Sequence, residues 1–252
     1  MSATTQSVIA LCGGVDPAGQ AGLAADLQAC FDLHARGAPI VCGRTAQSDN
    51  SFATAWPTDP EELTQVLAAV TALGISAIKT GMLGSIANLQ VVQRFSANQP
   101  IPLIVDPVAN TTSGGWLWPA DTPMQVRTAL LSQLLPQATL VTPNWLELAW
   151  LVEMPAASDV NELQLQARRL PCAALIKGGH APPPLQGRDW LWDGAQLHAL
   201  PLRPPWPHVP RGTGCRLATA IAIGLSRQQS VRQACENAVV WLDAVVTDAY
   251  GV

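Results

Sequence analysis

Residues 210–217 read Pro-Arg-Gly-Thr-Gly-Cys-Arg-Leu, and the nine residues that begin at Leu217 carry no charge. Two glycines and a threonine directly before such a run suit the first turn of a buried helix. Backbone N–H groups there lack intrahelical partners, and the helix dipole adds partial positive charge. Glycine lets an anion approach that backbone closely. Gly212, Thr213 and Gly214 are therefore a candidate phosphate or oxyanion site. Cys215 lies inside the turn, where a thiol pKa is expected to fall and a thiolate becomes a base or nucleophile. A tight loop followed by a small core cysteine accounts for the same letters, and on this segment alone the two readings stand level.

Of fourteen basic residues only two are lysines, Lys79 and Lys177. Each follows a short apolar run and has a glycine within two residues. Either the placement is chance, or each lysine aims a compact charge from a strand end at a ligand phosphate.

These groups need elements that hold them. Short apolar runs predict strands at 7–11, 39–42, 77–78, 102–105, 139–141 and 173–176. Helical spacing predicts helices at 21–33, 60–73, 85–98, 124–135, 145–152, 160–170, 217–226 and 230–250, and Asp59-Pro60-Glu61-Glu62 is a good helix start. Residues 190–192 and 196–200 flank Asp193-Gly194, a hairpin signal. Strands alternating with helices predict an α/β fold of three layers (α/β/α) around a mostly parallel sheet. In such sheets ligands bind beyond the carboxyl ends of the strands. The polar segments 14–16, 79–81, 106–107, 144–147 and 177–179 are all expected there. The proline-dense segment 201–210 reads as a rigid connector or as a flap over the site.

Composition sets bounds. The chain has 252 residues, 48% apolar and 13% charged, with net charge −4. That is a core-rich globular composition, read as one domain over residues 1–252, with no basic surface for nucleic acid. Six cysteines (12, 30, 42, 172, 215 and 235) show no CxxC pairing, so no zinc knuckle is expected. The first residues lack a signal-peptide pattern, and no run approaches a membrane span, so a cytoplasmic protein is expected.

In consistent order from about residue 8 to 246, the chain resembles the hydroxymethylpyrimidine/phosphomethylpyrimidine kinases of thiamine biosynthesis, in the ribokinase-like superfamily. The resemblance is carried by residues 14–26 (GVDPAGQAGLAAD), Thr45-Ala46-Gln47, Lys79-Thr80-Gly81-Met82-Leu83, and Val105-Asp106-Pro107-Val108 with Ser113-Gly114. Residues 142–147 (TPNWLE), Lys177-Gly178-Gly179-His180 and the GTGC segment complete it.

The resemblance implies transfer of the ATP γ-phosphoryl group to a pyrimidine hydroxymethyl group and then to its monophosphate. It implies that Asp26, Gln47 and Met82 line the pyrimidine pocket, with Gly14, Ala21 and Val108 shaping it. Lys177 would meet the ATP phosphates together with Thr213. Asn144, Glu147 and Asp106 would organise Mg²⁺. Asn144 and Glu147 also fit a plain helix-start signal, and Asp106 a plain Asp-Pro turn. Cys215 would accept the proton of the attacking hydroxyl or only pack beneath the substrate. A homodimer is implied, with Trp116, Trp118, Trp190 and Trp192 as interface anchors or core residues.

The chain departs from the family pattern at Val15, Pro17 and Ala18, and at Thr112, Arg211, Arg216 and Cys235. Arg211 and Arg216 either add charge at the phosphate site, point to solvent or pair with an acidic neighbour. Two other readings stand beside the first. One is a pyridoxal kinase of the same family; the other is a binding protein that kept the fold without the chemistry.

Overall fold

Residues 8–12 show how the molecule is layered. Val8, Ala10 and Cys12 join one apolar cluster, while Ile9 and Leu11 join another. A strand pointing alternate side chains into two interiors must lie in a sheet covered on both faces, which is why the run is apolar throughout. The structure is a computed structural model that describes residues 6–48, 51–111, 114–179, 181–203, 206 and 209–250. Thr112, Ser113 and His180, and residues 204, 205, 207 and 208 of the connector, lie outside the described residues.

The strands are β1 (Val8–Val15), β2 (Arg36–Gln47), β3 (Phe52–Pro57), β4 (Ala77–Thr80), β5 (Leu103–Val105), β6 (Leu140–Val141), β7 (Ala174–Ile176), β8 (Arg188–Trp192) and β9 (Leu197–Leu202). They form one sheet in the order β3-β2-β1-β4-β5-β6-β7-β8-β9. The six from β2 to β7 in that order are mutually parallel; β3, β8 and β9 pair antiparallel. Strand order reverses at β1, which sends β2 to one side and β4 to the other. A crevice opens at such a reversal.

The helices are α1 (Gly22–Asp32), α2 (Pro60–Thr71), α3 (Ile86–Ala97), α4 (Pro123–Ala129), α5 (Trp145–Val152), α6 (Val160–Ala167), α7 (Thr213–Ser226) and α8 (Val231–Tyr250). Helices α1, α7 and α8 share a core with Ile9, Leu11, Ile104 and Leu140. Helices α2 to α6 cover the opposite face. The expected three-layer α/β/α architecture is what the chain adopts. No helix of the described residues is long and apolar enough to cross a membrane.

Several elements differ from the sequence expectation. Strand β2 runs for twelve residues rather than four, and β3 was not anticipated. β3 is the edge strand and β2 stands next to it, where exposed positions such as Pro39, Val41 and Arg44 break the apolar run that marks inner strands. Lys79 and Thr80 stand within β4, not beyond it. The helical stretch near 124–135 gives up regular α geometry at Leu130 and continues as a π turn and a 3₁₀ turn. Pro136, with no N–H to give, stands in that 3₁₀ turn.

Candidate active site at the carboxyl edge of the sheet

Helix α7 begins where the sequence suggests. Gly212 is its N-cap with φ 79°, a conformation that favours glycine, and it offers no side chain to close the helix end. A Cβ on Gly212 would collide with the Gln20 carbonyl oxygen, so the turn packs on the backbone of the loop after β1. Arg216 N–H returns to Gly212 O at 2.9 Å. The amides of Thr213, Gly214 and Cys215 precede that first bond and are the orphan donors of the helix start.

Lys177 brings positive charge to the same place. A Cβ on Gly214 would lie 3.3 Å from Lys177 Nζ and 3.9 Å from Asp106 Oδ2. Lys177 follows β7, and its backbone N–H is fixed to Pro143 O at 2.9 Å. Its ammonium stands 2.9 Å from Asp106 Oδ1 and 3.8 Å from Glu147 Oε2. Thr142 donates to the same Asp106 oxygen at 3.1 Å. Desolvation lowers the Lys177 pKa, but the two carboxylates outweigh it and hold the ammonium above its ordinary value. Burial pushes Glu147 up to about 7, against the pull of Lys177.

Asn144 and Glu147 form a complete capping box for α5. Asn144 Oδ1 accepts from Leu146 and Glu147 N–H, both at 2.9 Å, and Glu147 Oε2 accepts from Asn144 N–H at 2.6 Å. The helix-start explanation of Asn144 is thus realised, and its amide oxygen is committed to the cap. Asp106 Oδ2 and Glu147 Oε1 take part in none of these bonds. Among the described residues no group of three or more His, Cys, Asp or Glu side chains is arranged to hold a metal. Two carboxylates with spare oxygens beside a phosphate site still suit Mg²⁺, which keeps several waters and uses few protein ligands.

Cys215 does not have the expected depressed pKa. Burial pushes the thiol up to about 11; the Lys79 ammonium and the Gly22 N–H pull the other way and lose. The helix start that should favour a thiolate is outweighed by the loss of water around the sulfur.

Beside this charged end lies a compact floor. Met82 lies against two glycines. Its Sδ would be 2.5 Å from a Cβ on Gly14, and its Cε 3.1 Å from one on Gly43. Ala21 caps α1, and its N–H donates to Asp16 Oδ2 at 3.0 Å. Val108 is half-buried, and its carbonyl accepts from Trp118 Nε1 at 3.3 Å. Gln47 ends β2, and its Oε1 is buried without a hydrogen-bond partner. Such an acceptor calls for a donor from a ligand.

Asp26 and Lys79 form a buried pair beside Cys215. Asp26 is fully buried on the sheet-facing side of α1, with both carboxylate oxygens on Lys79 Nζ at 2.8 and 2.9 Å. Thr219 of α7 donates to Asp26 Oδ1 at 2.8 Å. Lys79 is 1% exposed and reaches no phosphate site. Burial pushes the Asp26 carboxyl up while Lys79 draws it back. The pair lies between the sheet and the α1–α7 layer, with Asp26 Oδ2 3.6 Å from the place a Cβ on Gly13 would take.

One residue gains a role that sequence reasoning did not give it, and a second takes up an alternative that was left open. Asp16 gathers the loop after β1 by accepting from the N–H groups of Ala18, Gln20 and Ala21. An aspartate directly after a strand was the available signal. Arg211 spans the mouth of the site, with Asp16 Oδ2 at 3.6 Å and the Ser48 carbonyl at 3.2 Å, so this departure from the family pattern pairs with the loop. Cys235 is a buried core residue. Trp118 and Trp192 are buried and Trp116 and Trp190 half-buried, as core packing requires.

Comparison with known proteins identifies the family and the fold. The family model described as phosphomethylpyrimidine kinase matches residues 16–252. A hydroxymethylpyrimidine/phosphomethylpyrimidine kinase from Streptomyces coelicolor is 33% identical over 98% of this chain and 91% of its own length. The enzyme of that name from Escherichia coli K12 is 32% identical over 94% and 89%. A pyridoxal kinase from Staphylococcus aureus, solved with ADP, superposes with TM-score 0.81 at 23% identity, over 94% of this chain and 86% of that one. A phosphomethylpyrimidine kinase from Clostridium difficile 630 superposes with TM-score 0.78 at 21% identity, over 96% and 99%.

Proposed function

The chain belongs to the phosphomethylpyrimidine kinase family, and from that membership we propose that it serves thiamine biosynthesis as one catalytic domain in the cytoplasm. It transfers the ATP γ-phosphoryl group to the hydroxymethyl group of 4-amino-5-hydroxymethyl-2-methylpyrimidine, and then to the monophosphate. The observation that carries the reading is the convergence of the Lys177 ammonium on the start of α7 at Gly214.

Phosphoryl transfer needs positioning and charge neutralisation more than covalent chemistry. The amides of residues 213–215 hold the oxygens of the moving phosphoryl group, and Lys177 meets the nucleotide phosphates. Asp106 and Glu147 would hold Mg²⁺ through their spare oxygens and its waters; the ion neutralises charge on the phosphates when bound. Gln47 offers its unpartnered oxygen to the exocyclic amine of the pyrimidine, over the floor of Gly14 and Met82 and beside Ala21 and Val108. With a neutral thiol, Cys215 packs beneath the reacting hydroxymethyl group and leaves the stabilisation to the amides.

The test is ADP release by the purified protein against a panel of heteroaromatic alcohols and their monophosphates. Turnover is expected with the hydroxymethylpyrimidine and its monophosphate. Preference for pyridoxal would reassign the substrate, and absence of ADP with every alcohol would remove the kinase activity.

The enzyme is proposed to act as a homodimer. Leu27 and the 76% exposed Phe31 of α1 share a side of the sheet edge with exposed Val41 of β2. Apolar surface of this kind suits a second copy. Light scattering should give twice the chain mass, and Phe31→Asp should shift it to one. A monomeric wild type would contradict the assignment.

A further inference from the structure

Asp189 of β8 is fully buried, yet no step described above uses it. Its Oδ1 accepts the Gly178 N–H at 3.0 Å and an Arg203 N–H at 2.5 Å. Arg203 directly follows β9 and is itself buried, with its guanidinium 5.1 Å from the centre of the Trp206 ring. Arg203 N–H donates to Gly187 O, and Gly187 N–H to Gly178 O. One carboxylate thus ties the turn after β7 to the segment that leads from β9 towards α7.

Those two segments bear the partners assigned to the phosphates. Lys177 immediately precedes Gly178. Gly178 has no room for a side chain: a Cβ there would collide with the Arg188 carbonyl oxygen and stand 2.8 Å from that of Leu185. The turn is pressed against the start of β8, and the Gly178–Asp189 bond stops it from sliding or lifting. A charged acceptor holds an N–H more strongly than a neutral one. The buried carboxylate is paired with Arg203. Small displacements of a phosphate-binding cation are costly, because positioning supplies much of the catalysis in such a transfer.

We propose that Asp189, paired with Arg203, is a positioning residue that sets Lys177 for the nucleotide phosphates. It acts through the Gly178 turn and touches no ligand. The inference rests on the kinase reading above.

The test measures initial rates with ATP varied at saturating hydroxymethylpyrimidine, and the converse, for wild type, Asp189→Asn, Arg203→Lys and the double variant Asp189→Asn/Arg203→Met. ADP affinity is measured by calorimetry on the same preparations. Asp189→Asn should raise KM for ATP about tenfold and weaken ADP alike, while KM for the pyrimidine stays within about twofold. Arg203→Lys keeps a positive charge beside Asp189 but loses the planar group over Trp206, so KM for ATP should rise less than in Asp189→Asn. Where Asp189→Asn does not fold, the double variant, free of both charges, carries the same expectation. Equal rises in both KM values, or a lower melting temperature with neither KM changed, overturn the proposal, since a merely structural residue would act in that way. A wild type that releases no ADP with any pyrimidine alcohol overturns the kinase reading instead, and the ADP affinities still decide the role of Asp189.

Discussion

A lysine 2.9 Å from Asp106 and 3.8 Å from Glu147 is placed to share its charge with an incoming phosphate. Lys177→Met should lower kcat about 10²–10³-fold in the ADP-release assay, the scale seen when one preorganised stabiliser is removed. Cys215 makes a different prediction. With its thiol at about 11 and Glu147 already ionised above its value of about 7, kcat should be level from about pH 8 to 9.5. Were the thiolate the base, the rate would climb about tenfold per pH unit in that range, and Cys215→Ala would abolish the climb. Sequence reasoning singled out Cys215 because glycine spacing marks a helix start, and Lys177 because it is one of two lysines that each follow an apolar run. It misjudged the cysteine because local spacing says nothing of how much water the fold leaves around a sulfur. Lys79 shows the same limit. Its letters match those of Lys177, but its partner is Asp26, 53 positions away in the chain.

At the scale of elements, the helix starts were the most legible features. Asp59 caps α2 by accepting from Glu61 and Glu62 N–H, and Asn144 caps α5, both by rules written in a few adjacent residues. Edge strand β3 and its neighbour β2 were the least legible, because one-sided exposure dilutes their apolar pattern. The start of α7 depends on one backbone angle. Gly212→Ala meets both the φ of 79° and the Gln20 carbonyl. It should lower stability by about 1–3 kcal/mol in denaturant titration and raise KM for ATP. Unchanged stability and kinetics would mean that the turn relaxes without cost to the anion site.

Across the whole molecule, the layer of α1, α7 and α8 joins distant parts of the chain. Asp26, Lys79 and Thr219 meet within it, although 193 residues separate the first from the last. Asp26→Asn should cost about 3–5 kcal/mol in equilibrium unfolding by leaving Lys79 as an uncompensated buried charge. The double variant Asp26→Leu/Lys79→Met should lie closer to wild type than either single change. Larger loss in the double than in the singles would deny that the pair is coupled. The three-layer plan was readable from alternating patterns, whereas this buried pair needed the fold.

That joining has a consequence for synthesis on the ribosome. Ile9, Leu11, Ile104 and Leu140 are covered by α7 and α8, which emerge after every strand has been made. Until they arrive, the growing polypeptide presents one greasy side of its sheet to the cytosol, so nascent chains halted before residue 213 should be bound by chaperones or aggregate.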